Sequence, residues 1–102
     1  MKIIKKLSGM IEEEIADADK YVVKALELKD TNRKLADLFY TLSTEEMKHM
    51  SQLHGEVVKI FDEYRRNNGD PPEGMMMLYD FLHQKHIEEA GRVKVLQAMY
   101  LE

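Results

Sequence analysis

Cysteine is absent from this 102-residue chain, and proline and glycine are scarce, with two and five copies. Without cysteine the chain forms no disulfide and has no thiolate metal site. The shortage of helix breakers favours long, uninterrupted helices. No apolar run approaches the roughly 20 residues that span a bilayer, so we expect no membrane segment. The formal net charge of −4, with both signs interspersed, lacks the basic stripe of nucleic-acid-binding proteins, and we expect no such partner.

The length of the chain predicts a single domain over residues 1–102. Apolar residues make up 44% and charged residues 33%, which is ordinary for a soluble helical protein. The basic segment 1–7 has an apolar core far too short for a secretory signal. We therefore expect a cytoplasmic protein.

Two short segments, 29–32 and 67–74, interrupt an otherwise helical pattern. In the first, Asp30 or Thr31 is suited to cap the following helix by accepting its free amide hydrogens. In the second, an Asn-Gly pair favours a turn and Asp70 is suited to the N-cap position. Both segments are therefore predicted to be connections between helices.

These breaks predict an all-α fold, an antiparallel bundle of three helices at about residues 3–28, 32–66 and 72–101. The helices are antiparallel because short connections make consecutive helices pack side by side in opposite directions. Gly55 and Gly91 fall inside helices, where glycine costs up to about 1 kcal/mol relative to alanine. Close approach of two helices is the expected reason for both glycines.

Each predicted helix carries an apolar stripe in which ionisable residues occupy core positions. Steps of three and four residues place each stripe on one helix face. The ionisable residues are Glu14 in the first helix, Glu46 and His49 in the second, and His86 and Glu89 in the third. The apolar members are Ile4, Leu7, Ile11, Ala18, Tyr21, Ala25 and Leu28; Leu35, Phe39, Leu42, Leu53, Val57, Ile60 and Tyr64; and Met75, Tyr79, Leu82, Val93, Leu96 and Tyr100. Since buried ionisable groups are paired or bind metals, the pattern predicts a carboxylate–histidine metal site.

Antiparallel packing allows the heights of these residues in the bundle to be compared. A reversal of the chain near residue 30 brings Glu14 level with residues 46–49. A second reversal near residue 70 places Glu89 opposite about residue 51, and His86 a turn further on, closer to His54. The sequence therefore predicts that Glu14, Glu46 and His49 cluster, with His86 and Glu89 as a weaker extension.

Glu46 and His49 form a Glu-x-x-His pair, the spacing found in helical di-iron proteins. Three residues correspond to a rotation of about 300° along a helix, so both side chains point to the same side. Mixed carboxylate and imidazole ligands suit iron, manganese or zinc. The pair and Glu14 are thus candidate ligands.

The same residues also allow an arrangement without a metal. A slightly rotated first helix would bury Ile15 and leave Glu14 in solvent. Likewise, Met47 or Met50 would replace His49 in the core. In that arrangement the charged residues form a solvated or salt-bridged face.

Two stretches of the chain resemble the first half of a rubrerythrin-type, ferritin-like di-iron domain. They read Glu14-Ile-Ala-Asp-Ala-Asp-Lys-Tyr21 and Leu35-Ala-Asp-Leu-Phe-Tyr-Thr-Leu-Ser-Thr-Glu-Glu46-Met-Lys-His49. Such domains have a glutamate seven residues before a tyrosine on helix one. About thirty residues later they have Glu-x-x-Glu-x-x-His or a close variant on helix two. The resemblance covers roughly residues 8–61.

The resemblance implies a role for each matching residue. Glu14 would be a terminal or bridging carboxylate, Glu46 the bridging one, and His49 would complete one iron's ligand set. Tyr21 would hydrogen-bond near the site or pack beside it. The implied function is oxidation of ferrous iron by oxygen or peroxide, in iron handling or protection from oxidative stress.

The chain also departs from this family. A full ferritin-like domain has four helices and repeats the ligand set, whereas this chain has three predicted helices and only His86-Ile-Glu-Glu89 on the third. Two chains could pair about a two-fold axis, each giving Glu14, Glu46 and His49, or His86 and Glu89 could complete the site within one chain. We expect the former, a homodimer or higher homo-oligomer. Full rubrerythrins also deliver electrons through a cysteine-ligated iron domain, so a donor for this chain would be external.

Two other functions remain consistent with the sequence. One is a non-catalytic helical interaction module, in which buried charges fix the register of the helices. The other is a structural zinc or manganese site. Zinc would then stabilise the fold without any consumption of oxygen.

Overall fold

The computed structural model describes residues 2–102, which form three α-helices: α1 (Lys2–Leu28), α2 (Arg33–Asn68) and α3 (Glu73–Leu101). Met1 lies outside the described residues. The all-α class and the number of helices are confirmed, and the predicted boundaries agree within two residues. None of these helices is long and apolar enough to cross a membrane.

The N-terminus of α2 is capped by a different residue from those predicted. The side-chain oxygen of Asn32, rather than that of Asp30 or Thr31, accepts a hydrogen bond from the Leu35 amide at 3.2 Å. The chain continues as a turn after α1, because the amides of Thr31 and Asn32 both donate to the Leu28 carbonyl. Because of this turn, α2 begins at Arg33.

Helix α3 begins after Pro72, not after Asp70, and has no side-chain cap. Pro72 disfavours helical geometry in the residue before it, so the helix cannot begin at Pro71. The preceding turn passes through Gly69, which has a φ of 76° and donates its amide to the Arg65 carbonyl at 3.1 Å. Glycine adopts this left-handed geometry without steric cost, which allows α2 to end sharply there.

Helices α1 and α2 pack antiparallel, in the register that the sequence predicts. Ser43 lies against Ala18, and Phe39 stacks on Tyr21 with ring centroids 6.1 Å apart. Both contacts fit a reversal of the chain near residue 30. This packing brings Glu14 to the height of α2 at which Glu46 and His49 lie.

Helix α3 runs parallel to α1 and packs on a different side of it. Lys85 reaches Glu12 at 3.0 Å, and Arg92 reaches Asp19 at 2.8 Å. Both α2 and α3 pack mainly on α1 and make few contacts with each other. Helix α1 is therefore the central element of the fold, and a cleft separates α2 from α3.

The buried faces of α1 and α2 are rotated relative to the predicted stripes, in the direction of the alternative arrangement that buries Ile15 and places Met47 in the core instead of His49. Ile15 and Met47 are buried, whereas Leu35 and His49 are exposed. The full set of buried residues on the two helices is Ile4, Ser8, Ile11, Ile15, Ala18, Val22, Ala25, Ala36, Ser43, Met47, Val57 and Phe61. The candidate metal ligands thus lie at the edge of the core rather than in its centre.

Close helix approach does not explain Gly55 and Gly91, and that prediction is wrong. A Cβ atom added to either glycine would meet no other atom within 4 Å. For Gly91 the reason is the cleft between α2 and α3, which it lines. A side chain at this position would therefore enter open space.

Ser43 is a fully buried polar residue that joins all three helices, and the sequence analysis did not identify it. Its hydroxyl donates to the Ala18 carbonyl of α1 at 2.7 Å and accepts from the Gln97 side-chain amide of α3 at 3.0 Å. No periodicity of apolar residues marks such a position. The small side chain also allows α1 and α2 to approach closely.

Replacing Ser43 by alanine is expected to lower the free energy of unfolding by about 1–2 kcal/mol. The substitution leaves the Gln97 amide without its acceptor and the Ala18 carbonyl without its side-chain donor. Urea unfolding followed by circular dichroism measures the change, with the exposed Ser51→Ala as the matched control. Equal stability of the two variants would contradict this role for Ser43.

Candidate metal centre

The structure brings Glu14 of α1 together with Glu46 and His49 of α2. Each of the three residues offers one ligand atom, and these atoms lie within 4.8 Å of one another. The Nδ1 atom of His49 is 3.6 Å from Glu14 Oε2 and 3.8 Å from Glu46 Oε2. Both distances exceed that of a good hydrogen bond, so His49 is hydrogen-bonded to neither carboxylate.

The two carboxylates are partly buried, and the imidazole faces outward. The side chains of Glu14 and Glu46 are 25% and 20% exposed, whereas that of His49 is 53% exposed. Glu14 Oε2 is itself buried and has no hydrogen-bond partner. A buried carboxylate oxygen without a partner is costly, and a bound cation would offset that cost. The donor set therefore fits a metal ion of the carboxylate–imidazole class.

The proximity of Glu14 raises the pKa of Glu46. The largest cause is that the Glu14 carboxyl lies close enough to share a proton with Glu46, followed by burial and by the negative charge of Glu14. The nearby His49 offsets these effects only in part. Without a cation, the two acids are therefore held close together in a place that favours a shared proton.

Glu46→Gln is expected to stabilise the metal-free protein at pH 7.5, by on the order of 1 kcal/mol. The raised pKa means that the folded state binds a proton at Glu46 more readily than the unfolded state does. Ionised Glu46 therefore destabilises the fold above its folded pKa. This penalty disappears as the pH falls through that pKa towards the ordinary value of 4.5.

Urea unfolding at pH 7.5 and at pH 4.5 measures this effect, with the exposed Glu45→Gln as control. We expect the gain from Glu46→Gln to be present at the higher pH and small at the lower. A gain of the same size at both pH values would show that charge repulsion is not its source.

His86 and Glu89 lie on the other side of α1 and do not join this group. His86 is buried with its Nε2 atom 3.6 Å from a carboxylate oxygen of Glu12, and Glu89 lies 3.9 Å from the Lys85 ammonium. Glu12 faces α3, whereas Glu14 faces α2. Among residues 2–102, Glu14, Glu46 and His49 form the group of three potential metal ligands whose ligand atoms lie close together. Within one chain, His86 and Glu89 are not brought to it.

The remaining residues considered from the sequence take packing positions. Tyr21 stacks on Phe39, as the packing interpretation predicts. His54 stacks on His83, with ring centroids 4.9 Å apart. Burial, together with the charges that His83 and His86 would carry, lowers the pKa of His54. Comparing heights along the bundle predicts that His86 lies near His54. It does not predict that His83 joins them, as it does in the structure.

Comparison of the chain with models of known protein families, with curated proteins and with solved structures yields no match.

Proposed function

We propose that this chain contributes half of a carboxylate–histidine di-iron site that oxidises ferrous iron. The observation that carries the proposal is the convergence of Glu14, Glu46 and His49, with one buried Glu14 oxygen lacking any partner. A cation would satisfy that oxygen and offset the charge of both acids. The resemblance of residues 8–61 to ferritin-like di-iron domains supports iron over manganese or zinc.

Each of the three residues has a separate part in binding. Glu14 and Glu46 supply negative charge, and the proton that their proximity favours is released when a cation binds. His49 supplies a neutral nitrogen ligand from the exposed side of the site. Two ferrous ions together supply two electrons, which with two protons reduce dioxygen to peroxide or peroxide to water.

One chain offers fewer ligands than a di-iron site requires, and the surface around the site favours a second copy. On α1, the exposed apolar residues Ile3 and Met10 share the face of Glu14, at steps of seven and four residues. Such an exposed apolar face is typical of an interaction surface.

Helix α2 presents a matching face. Leu38 is exposed and Leu42 half-buried, and they precede His49 on one side of the helix at steps of four and seven residues. The apolar faces of α1 and α2 therefore adjoin the ligands on both helices. A two-fold axis here would make one self-complementary interface, double the ligand set and assemble four helices in a ferritin-like arrangement.

Anaerobic titration of the purified apoprotein with ferrous iron, followed by oxygen or peroxide, tests the proposal. We expect saturation near one iron per chain, a dimer by light scattering, and rapid oxidation on addition of the oxidant. Two irons per chain in a monomer would contradict the shared site. Zinc stabilisation without oxygen consumption would indicate a structural metal site, and the absence of saturable binding would indicate a non-catalytic module.

A further inference from the structure

A second feature, independent of the candidate metal centre, is the cleft between α2 and α3. It has a volume of about 370 Å³, within the usual range for small-molecule sites. His54 of α2 faces His83, His86 and Lys94 of α3 across it. Glu14, Glu46 and His49 do not line this cleft.

The charge of the cleft differs from that of the whole chain. The protein carries 19 acidic and 15 basic residues, yet no carboxylate lines the cleft. Lys94 contributes a permanent positive charge, and the imidazoles of His54, His83 and His86 contribute hydrogen-bond donors. Burial lowers the pKa of His54 and of His86, and the proximity of the other imidazoles lowers that of His54 further. A negative charge in the cleft would therefore be attracted by Lys94 and accept hydrogen bonds from the imidazoles. The Glu12 carboxylate lies 3.6 Å from His86 Nε2 but does not line the cleft.

The walls of the cleft are partly apolar. The rings of His54 and His83 are nearly parallel, with an interplanar angle of 16°, and Tyr79 extends the stack at 5.5 Å from His83. Met50 and Ile87 add apolar surface to the lining. Because these rings stack on one another, the aliphatic side chains are the surface that suits the apolar body of a small organic molecule.

We propose that the cleft between α2 and α3 binds a small organic carboxylate, with its charge directed to Lys94 and the histidines and its apolar body against Met50 and Ile87. Charge complementarity favours an anion over a metal ion. In addition, the ring nitrogens of the three histidines do not form a group of potential metal ligands, whereas the atoms of the candidate metal centre do. The proposal does not depend on iron binding.

Titration calorimetry of the full chain with benzoate, and with neutral benzamide as a probe of similar shape, tests the charge requirement. We expect benzoate to bind at least about fivefold more tightly than benzamide, as a single partly exposed ion pair allows. Lys94→Gln should remove this difference. The exposed Lys34→Gln on α2 should retain it. Equal binding of the two probes by the unmodified chain would overturn the proposal.

Gly91→Leu tests the location. A Cβ atom at Gly91 meets no atom within 4 Å and leucine favours helix, so the variant should fold while its side chain narrows the cleft. We expect benzoate affinity to fall at least about tenfold, which corresponds to 1.4 kcal/mol. The exposed Gly9→Leu should bind normally, and iron titration should be unchanged in both variants.

Unaltered benzoate binding by Gly91→Leu would place the ligand elsewhere and refute the proposal. Saturable zinc binding that shifts the imidazole NMR signals of His54 and His83, without benzoate binding, would also refute it. That result would identify the histidines as metal ligands instead.

Discussion

His49→Ala is expected to lower the affinity for ferrous iron by at least about a hundredfold and to leave the helix content unchanged. The imidazole is the only nitrogen ligand in the group, and its loss leaves two carboxylates to hold the cation. Because the side chain is half exposed, its removal opens no cavity in the core. Glu46→Ala should have an effect of similar size, since it removes the carboxylate closest to Glu14.

Anaerobic binding isotherms measure the affinities, and far-ultraviolet circular dichroism measures the helix content. Lys48→Ala and Glu45→Ala change exposed neighbours on α2 and should bind iron normally. Stoichiometric iron in both His49→Ala and Glu46→Ala, at the affinity of the unmodified chain, would refute their assignment as ligands.

Leu38→Glu is expected to abolish the proposed dimer and to weaken iron binding by at least about a hundredfold, although Leu38 is not a candidate ligand. The residue is exposed on the side of α2 that carries His49, about three turns before it. A charge at this position would lose its hydration in the proposed apolar interface without gaining a partner, which opposes association. If each half-site lacks its partner's ligands, tight binding must be lost with the dimer.

Light scattering and iron titration on the same sample separate the two effects. Val95→Glu introduces the same charge at an exposed apolar position on α3, away from the metal centre, and should remain dimeric and bind iron. Full iron affinity in a monomeric Leu38→Glu variant would contradict the shared site. An unaltered dimer would exclude this face as the interface.

The helices and their register follow from the sequence alone. With breaks confined to residues 29–32 and 67–74, the chain can only form three helices, and short connections set their directions. The rise per residue then fixes which heights coincide. For this reason Glu14 was correctly expected at the level of Glu46 and His49.

The rotation of each helix about its own axis was decided by the tertiary structure. An apolar stripe defines a face only to within about one residue, which is a rotation of about 100°. Because α1 packs against both α2 and α3, its buried face lies between them, centred on Ile11, Ile15 and Val22. Glu14 is thereby turned to the edge of the core, and on α2 Met47 is buried while His49 faces outward.

The same limit explains why His86 and Glu89 lie apart from the candidate metal centre. Their heights along the bundle are compatible with a common site, but height carries no information about the side of α1 on which α3 packs. Packing of α3 against Glu12 and Asp19 places His86 away from Glu14 and opens the cleft towards α2. The sequence determined the helices, their order and the heights of the candidate ligands. Only the packing of α2 and α3 on α1 decided which of the charged residues meet, because it alone sets the rotation of each helix about its axis.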